Sequence, residues 1–238
     1  MSNFAYKFFD NCRFLARGLI PPACLLCAGD GAGDGLCEGC RQSLPRLTAV
    51  CCPVCAAPGT SAEVCGRCLA RRPAFDRVIA ALTYAFPADA LVRSLKYGGG
   101  LAYARPLAWA LAGALDSEPY PDLVMPMPLA PGRLRERGFN QAMEIATMVG
   151  AEFGLQVSAD CCRRSRESPP QAVLPWKQRA ANVRNAFVCA PDLGGKTVAV
   201  VDDVLTTGAT LNELAATLKR RGAREVWGWV VARTPPHR

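Results

Sequence analysis

The chain has 238 residues, half of them hydrophobic, with 28 basic and 20 acidic side chains and a net charge of +8. This length and composition exclude global disorder and leave room for one sizeable core with a small extra module, or for two modest domains. The positive excess suits an anionic partner such as a phosphate ester, a nucleotide or a nucleic acid, and it does not choose among them.

Residues 1–22 are predicted to form an N-terminal amphipathic helix, because apolar side chains recur at helical spacing and Pro21-Pro22 ends the run. A helix packed on the body is favoured over one that lies on a membrane surface. Charged side chains interrupt the apolar region that a signal peptide would need. No stretch approaches the roughly 20 apolar residues of a membrane span. These features together predict a reducing, cytoplasmic setting.

Thirteen cysteines are too many for an ordinary cytosolic domain, and eight of them fall in four C-x2-C pairs. The arrangement C-x2-C-x9-C-x2-C occurs twice, so the segment 23–72 is predicted to be an internal repeat. Four thiolates at this spacing are typical of a structural zinc site, where the ion substitutes for a core that about 20 residues cannot build. The simplest assignment gives two structural Zn²⁺ ions, one held by Cys24, Cys27, Cys37 and Cys40 and the other by Cys52, Cys55, Cys65 and Cys68.

Several alternatives to this zinc assignment remain open at the level of the sequence. The pairs could be cross-braced, and Cys51 could replace Cys52 in the run CCPVC. Disulfides or free thiols are disfavoured by four C-x2-C pairs in register. Closed four-cysteine sites are structural, so metal catalysis is not expected. Nearby arginines make this region cationic, which suits a nucleic acid or a protein partner, although its few aromatic residues disfavour base stacking.

Residues 73–238 have the pattern of an α/β domain. Strands are predicted at 78–84, 122–127, 186–189, 197–201 and 226–232, and helices at 88–96, 102–115, 140–153 and 210–221. This alternation predicts a mainly parallel sheet with helices on both faces. Two polar segments are predicted to be loops. One follows the strand at 122–127, and the other spans 163–179 and contains three prolines.

A candidate phosphate site follows the apolar strand at 197–201. Asp202 and Asp203 come directly after this strand, and residues 206–210, which we call the phosphate loop, then open a helix. The loop consists of Thr206, Thr207, Gly208, Ala209 and Thr210. Loop amides and hydroxyls can donate to a phosphate, and the helix dipole favours its charge. The two carboxylates, which we call the acid pair, can accept hydrogen bonds from ribose hydroxyls, and a solvated turn with a helix cap would not require both features.

The run VVDDVLTTGAT at 200–210 resembles the signature of the type I phosphoribosyltransferases, which bind phosphoribosyl pyrophosphate (PRPP). The resemblance implies that Asp202 and Asp203 hold the ribose 2′- and 3′-hydroxyls and that residues 206–210 cradle the 5′-phosphate. Further motifs resemble the ComF family (competence protein F, amidophosphoribosyltransferase-like). They are CLLC at 24–27, RRPAFDRV at 71–78, LKYGG at 95–99, PMPLAPGRLRERGFNQA at 126–142 and PPQAVLPWKQRAANVRNAF at 169–187.

The ComF resemblance implies a type I phosphoribosyltransferase core at 73–238 behind a double zinc ribbon at 23–72. It places a pyrophosphate-binding loop on the segment with Arg133, Arg135 and Arg137. A flexible loop that closes over PRPP would occupy 163–187, with contacts from Gln171, Arg179, Asn182 and Arg184.

Two function classes fit this resemblance. The first is transfer of phosphoribose from PRPP with Mg²⁺ to an acceptor, with release of pyrophosphate; a ribose-phosphate hydrolase is a near variant. The second is a non-catalytic PRPP sensor or binding module, with single-stranded DNA or a competence protein as partner. The family implies a role in natural transformation and DNA uptake, or in nucleotide metabolism, and either class is compatible with it. The acceptor is not encoded in a recognisable motif, and by position the zinc module would form the hood that selects it.

Overall fold

The computed structural model describes residues 23–31, 33–48, 50–98, 100–165, 185–190 and 192–235. The predicted N-terminal helix and the predicted contacts Gln171, Arg179, Asn182 and Arg184 lie outside the described residues. The chain divides into two compact units, Met1–Leu44 and Pro45–Arg238. The first contains one four-cysteine motif, and the second contains the other motif together with the α/β region.

Each helix and strand is named here in chain order. The strands are β1 Arg77–Thr83, β2 Leu123–Pro126, β3 Cys162–Arg164, β4 Phe187–Cys189, β5 Thr197–Leu205 and β6 Glu225–Arg233. The helices are α1 Glu38–Gln42, α2 Gly66–Ala70, α3 Ala88–Tyr97, α4 Ala104–Leu115, α5 Pro131–Arg137, α6 Gln141–Phe153 and α7 Ala209–Arg220. A 3-10 turn, Leu101–Tyr103, precedes α4.

Four parallel strands form the central sheet in the order β1-β6-β5-β2. The two central strands, β5 and β6, are rich in valine and are buried along most of their length, as expected of a parallel sheet that is covered on both faces. Helix α7 packs on one face, against a core that includes Val200 and Val226. Helices α4 and α6 contact each other and other parts of the sheet. The predicted parallel α/β fold is confirmed.

Strand β5 is longer than predicted. It continues through the acid pair to Leu205, because its ladder with β6 extends to the pairing of Leu205 with Arg233. Strand β2 ends earlier, since its last residue, Pro126, lies opposite Val201. Asp202 and Asp203 are therefore part of β5 and extend beyond the end of β2.

The segment with Arg133, Arg135 and Arg137 is a helix and not the predicted loop. Pro131 occupies the first turn of α5, where its missing N–H costs no hydrogen bond, and Gly138 ends the helix with φ of +78°. Asn140 caps α6, with its side-chain oxygen accepting from the Ala142 N–H at 3.1 Å.

The other proposed loop is flanked by a short antiparallel ribbon. Strands β3 and β4 pair through Cys162 opposite Cys189, on either side of residues 166–184. No described helix has both the length and the apolar character required to cross a bilayer.

Candidate functional site

Eight cysteines form two clusters with the sequential pairing. The first cluster is Cys24, Cys27, Cys37 and Cys40, and the second cluster is Cys52, Cys55, Cys65 and Cys68. Within each cluster the sulfur atoms all lie within 4.8 Å of one another. Cross-braced pairing is therefore wrong, and Cys52 rather than Cys51 belongs to the second cluster.

The geometry of both clusters fits a tetrahedral zinc ion. Zinc–sulfur bonds of about 2.3 Å place tetrahedral sulfurs about 3.8 Å apart. The Sγ atoms of Cys27 and Cys37 are 3.7 Å apart, and those of Cys55 and Cys65 are 3.6 Å apart. Backbone N–H groups donate to cluster sulfurs in both units, which favours thiolates: Cys40 to Cys37 at 3.4 Å, and Cys65 to Cys52 at 3.3 Å.

The backbone repeats the same turn at the start of each cluster. In the first, the Ala28 N–H donates to the Cys24 carbonyl at 2.9 Å, and in the second the Ala56 N–H donates to the Cys52 carbonyl at the same distance. Ala28 and Ala56 both have positive φ, +60° and +51°. This left-handed residue directs the chain back so that both cysteines of a C-x2-C pair face one point. The predicted internal repeat is thus a repeat of structure.

The acid pair lies at the carboxyl edge of the sheet, beyond the end of β2. Asp203 is 4% exposed and Asp202 is half-buried. The Asp203 N–H donates to Asp202 Oδ1 at 2.9 Å, which holds the Asp202 carboxylate against the backbone. Within the described part of the chain, the buried Asp203 Oδ2 has no hydrogen-bond partner. A buried carboxylate oxygen without a donor is the kind of group that a ligand hydroxyl would satisfy.

The phosphate loop turns β5 into α7. Gly208 adopts φ of +79° and is the N-cap of α7, so this turn requires a residue that tolerates the left-handed region. The first N–H groups of a helix have no acceptor within the helix, and its dipole attracts anions there. Thr206, Thr207 and Thr210 are half-buried and carry their hydroxyls on this same short segment. The loop therefore offers donors suited to one phosphate.

Two cationic side chains, Lys96 and Arg164, act on the acid pair, and a third, Arg137, lies close to Lys96. Lys96 Nζ from α3 lies 3.0 Å from Asp203 Oδ1. Arg137 from α5 is close enough to oppose the Lys96 charge, and Arg164 from β3 stabilises the Asp202 charge. Lys96, Tyr97 and Arg137 also line a cleft of about 280 Å³, with Glu136 and Phe139.

The three arginines of α5 that were predicted to bind pyrophosphate differ in their contacts. Arg137 stacks over the Tyr97 ring at 5.2 Å and donates to Gln141 at 2.9 Å, whereas Arg133 pairs with Glu136 at 2.6 Å. Arg135 lies in the last turn of α5 and is exposed. Arg164 was not predicted as a site residue, and Lys96 was weighed as a phosphate contact but not placed in the predicted site. LKYGG carried a lysine but no phosphate-binding pattern, and Arg164 lies at the edge of a polar segment.

The ionisation of Asp202 depends strongly on its surroundings. Burial, followed by the neighbouring Asp203 carboxylate, raises the pKa of Asp202 from its ordinary value of 3.8 to about 7, against the opposing charge of Lys96. Burial lowers the pKa of Lys96, but the charges of Asp203 and Asp202 outweigh it and the net pKa is raised. The fold thus holds Asp202 close to its midpoint at neutral pH, as is common at functional sites.

We expect Asp202→Asn to stabilise the protein in a pH-dependent way. A carboxyl whose pKa is raised in the fold contributes stability below pH 3.8, and this contribution is lost as the pH rises through about 7. The stability advantage of the variant over the wild type should therefore grow by about 1.4 kcal/mol between about pH 6 and pH 8.5. Urea unfolding of both proteins at the two pH values measures this difference. A constant difference would contradict the raised pKa.

A second prediction concerns the ion pair between Lys96 and Asp203. Lys96→Met leaves a buried carboxylate without its counter-charge, so we expect the free energy of unfolding to fall by about 2–4 kcal/mol. Adding Asp203→Asn should recover most of that loss, because no buried charge then remains. Urea unfolding of the four proteins in the double-mutant cycle gives the coupling energy.

Arg93→Met is the matched control for this cycle. Arg93 lies on the same helix and pairs with Asp89, and the Arg93 side chain is 61% exposed. Loss of this ion pair should therefore lower the free energy of unfolding by less than about 0.5 kcal/mol. Additive effects of Lys96→Met and Asp203→Asn would contradict a coupled buried pair.

The chain is similar to two known domain families and to several known proteins. Residues 15–69 match the double zinc ribbon domain family, and residues 162–237 match the phosphoribosyl transferase domain family. DNA utilization protein YhgH of Salmonella typhi is 32% identical over 223 residues, covering 90% of this chain and 98% of the relative. Competence protein F of Haemophilus influenzae is 30% identical over 221 residues, covering 88% and 96%. A solved purine phosphoribosyltransferase from Pyrococcus horikoshii is 23% identical, covers 55% of this chain and 73% of that chain, and has a TM-score of 0.33.

Proposed function

The chain belongs to the family of competence protein F and the YhgH proteins, and from this premise we propose that it binds PRPP with Mg²⁺ and transfers its phosphoribosyl group. The observation that carries the proposal is the acid pair in the last part of β5, separated by only two residues from the phosphate loop at the start of α7. This arrangement offers carboxylate acceptors for a sugar and amide and hydroxyl donors for a phosphate on one continuous segment.

Each part of PRPP has a complementary group in this proposal. Asp202 and Asp203 accept hydrogen bonds from the ribose 2′- and 3′-hydroxyls, and the buried Asp203 Oδ2 gains the donor that it lacks. Residues 206–210 bind the 5′-phosphate. The diphosphate faces the positive charges of Lys96, Arg137 and Arg164. Lys96 and Arg164 also offset the charge of the acid pair.

The chemistry would follow from positioning and charge and requires no covalent nucleophile. As pyrophosphate leaves, positive charge develops on the ribose ring and negative charge on the leaving group. The carboxylates hold the ring and oppose the first charge, and the cationic side chains oppose the second. Holding the acceptor beside the ring converts the transfer into an effectively unimolecular step.

The two zinc ions are proposed to be structural, since all four positions of each site are occupied by cysteine sulfur and no position is open for a substrate. Each ion would stabilise the fold of its own ribbon. The cytoplasm is the proposed location, because reduced thiols persist there.

A second function, PRPP sensing without turnover, is supported by the names of the relatives, which refer to competence and DNA utilization rather than to a reaction. In that case the net charge of +8 would attract an anionic partner, which would be single-stranded DNA or a competence protein.

Measurement of turnover separates the two functions. Zinc-loaded protein is mixed with PRPP and Mg²⁺ and with nucleobases, amines or single-stranded DNA, and pyrophosphate release is followed. Transfer predicts release that depends on one of these acceptors, and release without an acceptor would indicate the hydrolase variant. Calorimetric binding of PRPP without release would reject the enzyme and leave the sensor, and absence of binding would reject both.

A further inference from the structure

Arg233 is a buried arginine at the carboxyl edge of the sheet. It is the last residue of β6 and is 3% exposed. Its neighbours across the ladder are Leu205 at the end of β5 and Thr83 at the end of β1. An arginine retains its charge when buried, so every such residue must find acceptors for its N–H groups.

The acceptors of Arg233 include backbone carbonyls of two functional elements, in addition to the carbonyl and hydroxyl of its neighbour Thr234. Its Nε donates to the carbonyl of Cys55, a residue of the second cluster, at 3.0 Å. Its Nη1 donates to the carbonyls of Leu205 at 3.0 Å and Thr206 at 2.6 Å, where the phosphate loop begins. One planar guanidinium therefore joins backbone positions that are about 150 residues apart in sequence.

A second connection runs through the segment between the second cluster and β1. Phe75 is 5% exposed, and two of its ring atoms lie 3.6 Å from the position that a Cβ on Gly208 would take. The Ala74 N–H donates to Asn212 Oδ1 on the first turn of α7 at 2.7 Å. The second cluster, Phe75 and the residues under the phosphate loop also share one hydrophobic core, which includes Leu205 and Leu211.

We propose that Arg233 is a positioning residue that couples the second cluster to the phosphate loop, so that metal in this cluster and PRPP in the loop stabilise each other. The inference rests on the proposed function for the identity of the ligand. The first cluster belongs to the other compact unit and serves as the internal control.

The coupling has a direct physical cause. Metal in the second cluster orders the Cys55 turn, and this fixes the carbonyl that orients the Arg233 fork. The fork in turn holds the carbonyls of Leu205 and Thr206, so the loop amides are arranged before the phosphate arrives. Because binding linkage is reciprocal, PRPP must then slow the loss of metal from the second cluster.

The test follows metal loss cysteine by cysteine in the full chain. Zinc-loaded protein is exposed to a chelator and an alkylating reagent with and without saturating PRPP, and labelling of each cysteine is read by mass spectrometry. We expect PRPP to slow labelling of the second cluster by about 5-fold or more, with no effect on the first cluster. Arg233→Met should abolish the protection, and Arg233→Lys, which keeps the charge but not the fork, should retain part of it.

Arg224→Met is the matched control variant, since Arg224 is a surface arginine that donates to Thr197 at the opposite edge of the sheet. It should behave like the wild type. Hydrogen exchange provides a further arm of the test that requires neither PRPP nor a substitution. In the wild-type protein, removal of metal by the chelator should speed hydrogen exchange of the backbone amides at 206–210. This arm decides the question even if Arg233→Met fails to fold.

The outcomes separate the two proposals. Calorimetric binding of PRPP together with unchanged labelling of the second cluster would overturn the coupling and leave the proposed function intact. Failure of the wild-type protein to bind PRPP would overturn the proposed function. In that case faster exchange at 206–210 after chelation supports the link between cluster and loop, and unchanged exchange rejects it.

Discussion

Loss of metal from the second cluster is expected to destabilise the whole Pro45–Arg238 unit. Three of its four cysteines are buried, and they belong to the same core as β5 and α7. Structural zinc contributes on the order of 10 kcal/mol to isolated zinc-finger peptides. Here the remaining core supplies part of the stability, so we expect Cys52→Ser/Cys68→Ser to lower the free energy of unfolding by about 3–6 kcal/mol. Calorimetry should show a decrease of about 10–20 °C in the main transition.

The first cluster supplies the matched control for this prediction. Cys24→Ser/Cys40→Ser removes the equivalent ligands from the other compact unit, so the main transition should stay within a few degrees of the wild type. Zinc content measured by native mass spectrometry should fall from two ions to one in either variant. Equal shifts of the main transition in both variants would contradict the prediction that the second cluster stabilises the Pro45–Arg238 unit more than the first cluster does.

Removal of the acid pair is expected to abolish measurable PRPP binding. Each carboxylate is proposed to accept hydrogen bonds from ribose, and a hydrogen bond to a charged group contributes about 1.5–3 kcal/mol. Asp202→Ala/Asp203→Ala should therefore weaken PRPP affinity by at least about 100-fold in calorimetric titrations with Mg²⁺.

The control for the acid pair is Asp116→Ala, since Asp116 is an exposed acid at the end of α4. Its loss should leave PRPP affinity unchanged. Circular dichroism should confirm that the double variant is folded, because Lys96 loses its partner in that protein. If the folded double variant binds PRPP as tightly as the wild type, the acid pair does not hold the ribose.

The course of β5 shows why local patterns predict elements better than their ends. The carboxylates end the apolar run at Val201, so the pattern predicted a strand only to that residue. Backbone pairing with β6 continues to Leu205, because ladder hydrogen bonds do not depend on the polarity of side chains. The helix at Pro131–Arg137 was missed for a related reason: it has no buried residue and therefore no apolar periodicity to detect.

Features whose residues are neighbours in the chain could be predicted from the sequence: the C-x2-C pairs, and the acid pair followed by the phosphate loop. Each C-x2-C turn and the run from Val200 to Thr210 act through neighbouring residues, so their spacing carries their geometry. Two other features became visible only in the folded chain. Lys96 and Arg164 act on the acid pair. Arg233 joins the second cluster to the phosphate loop. These contacts link residues far apart in sequence, and a buried charge takes its partner from whichever elements the packing brings beside it.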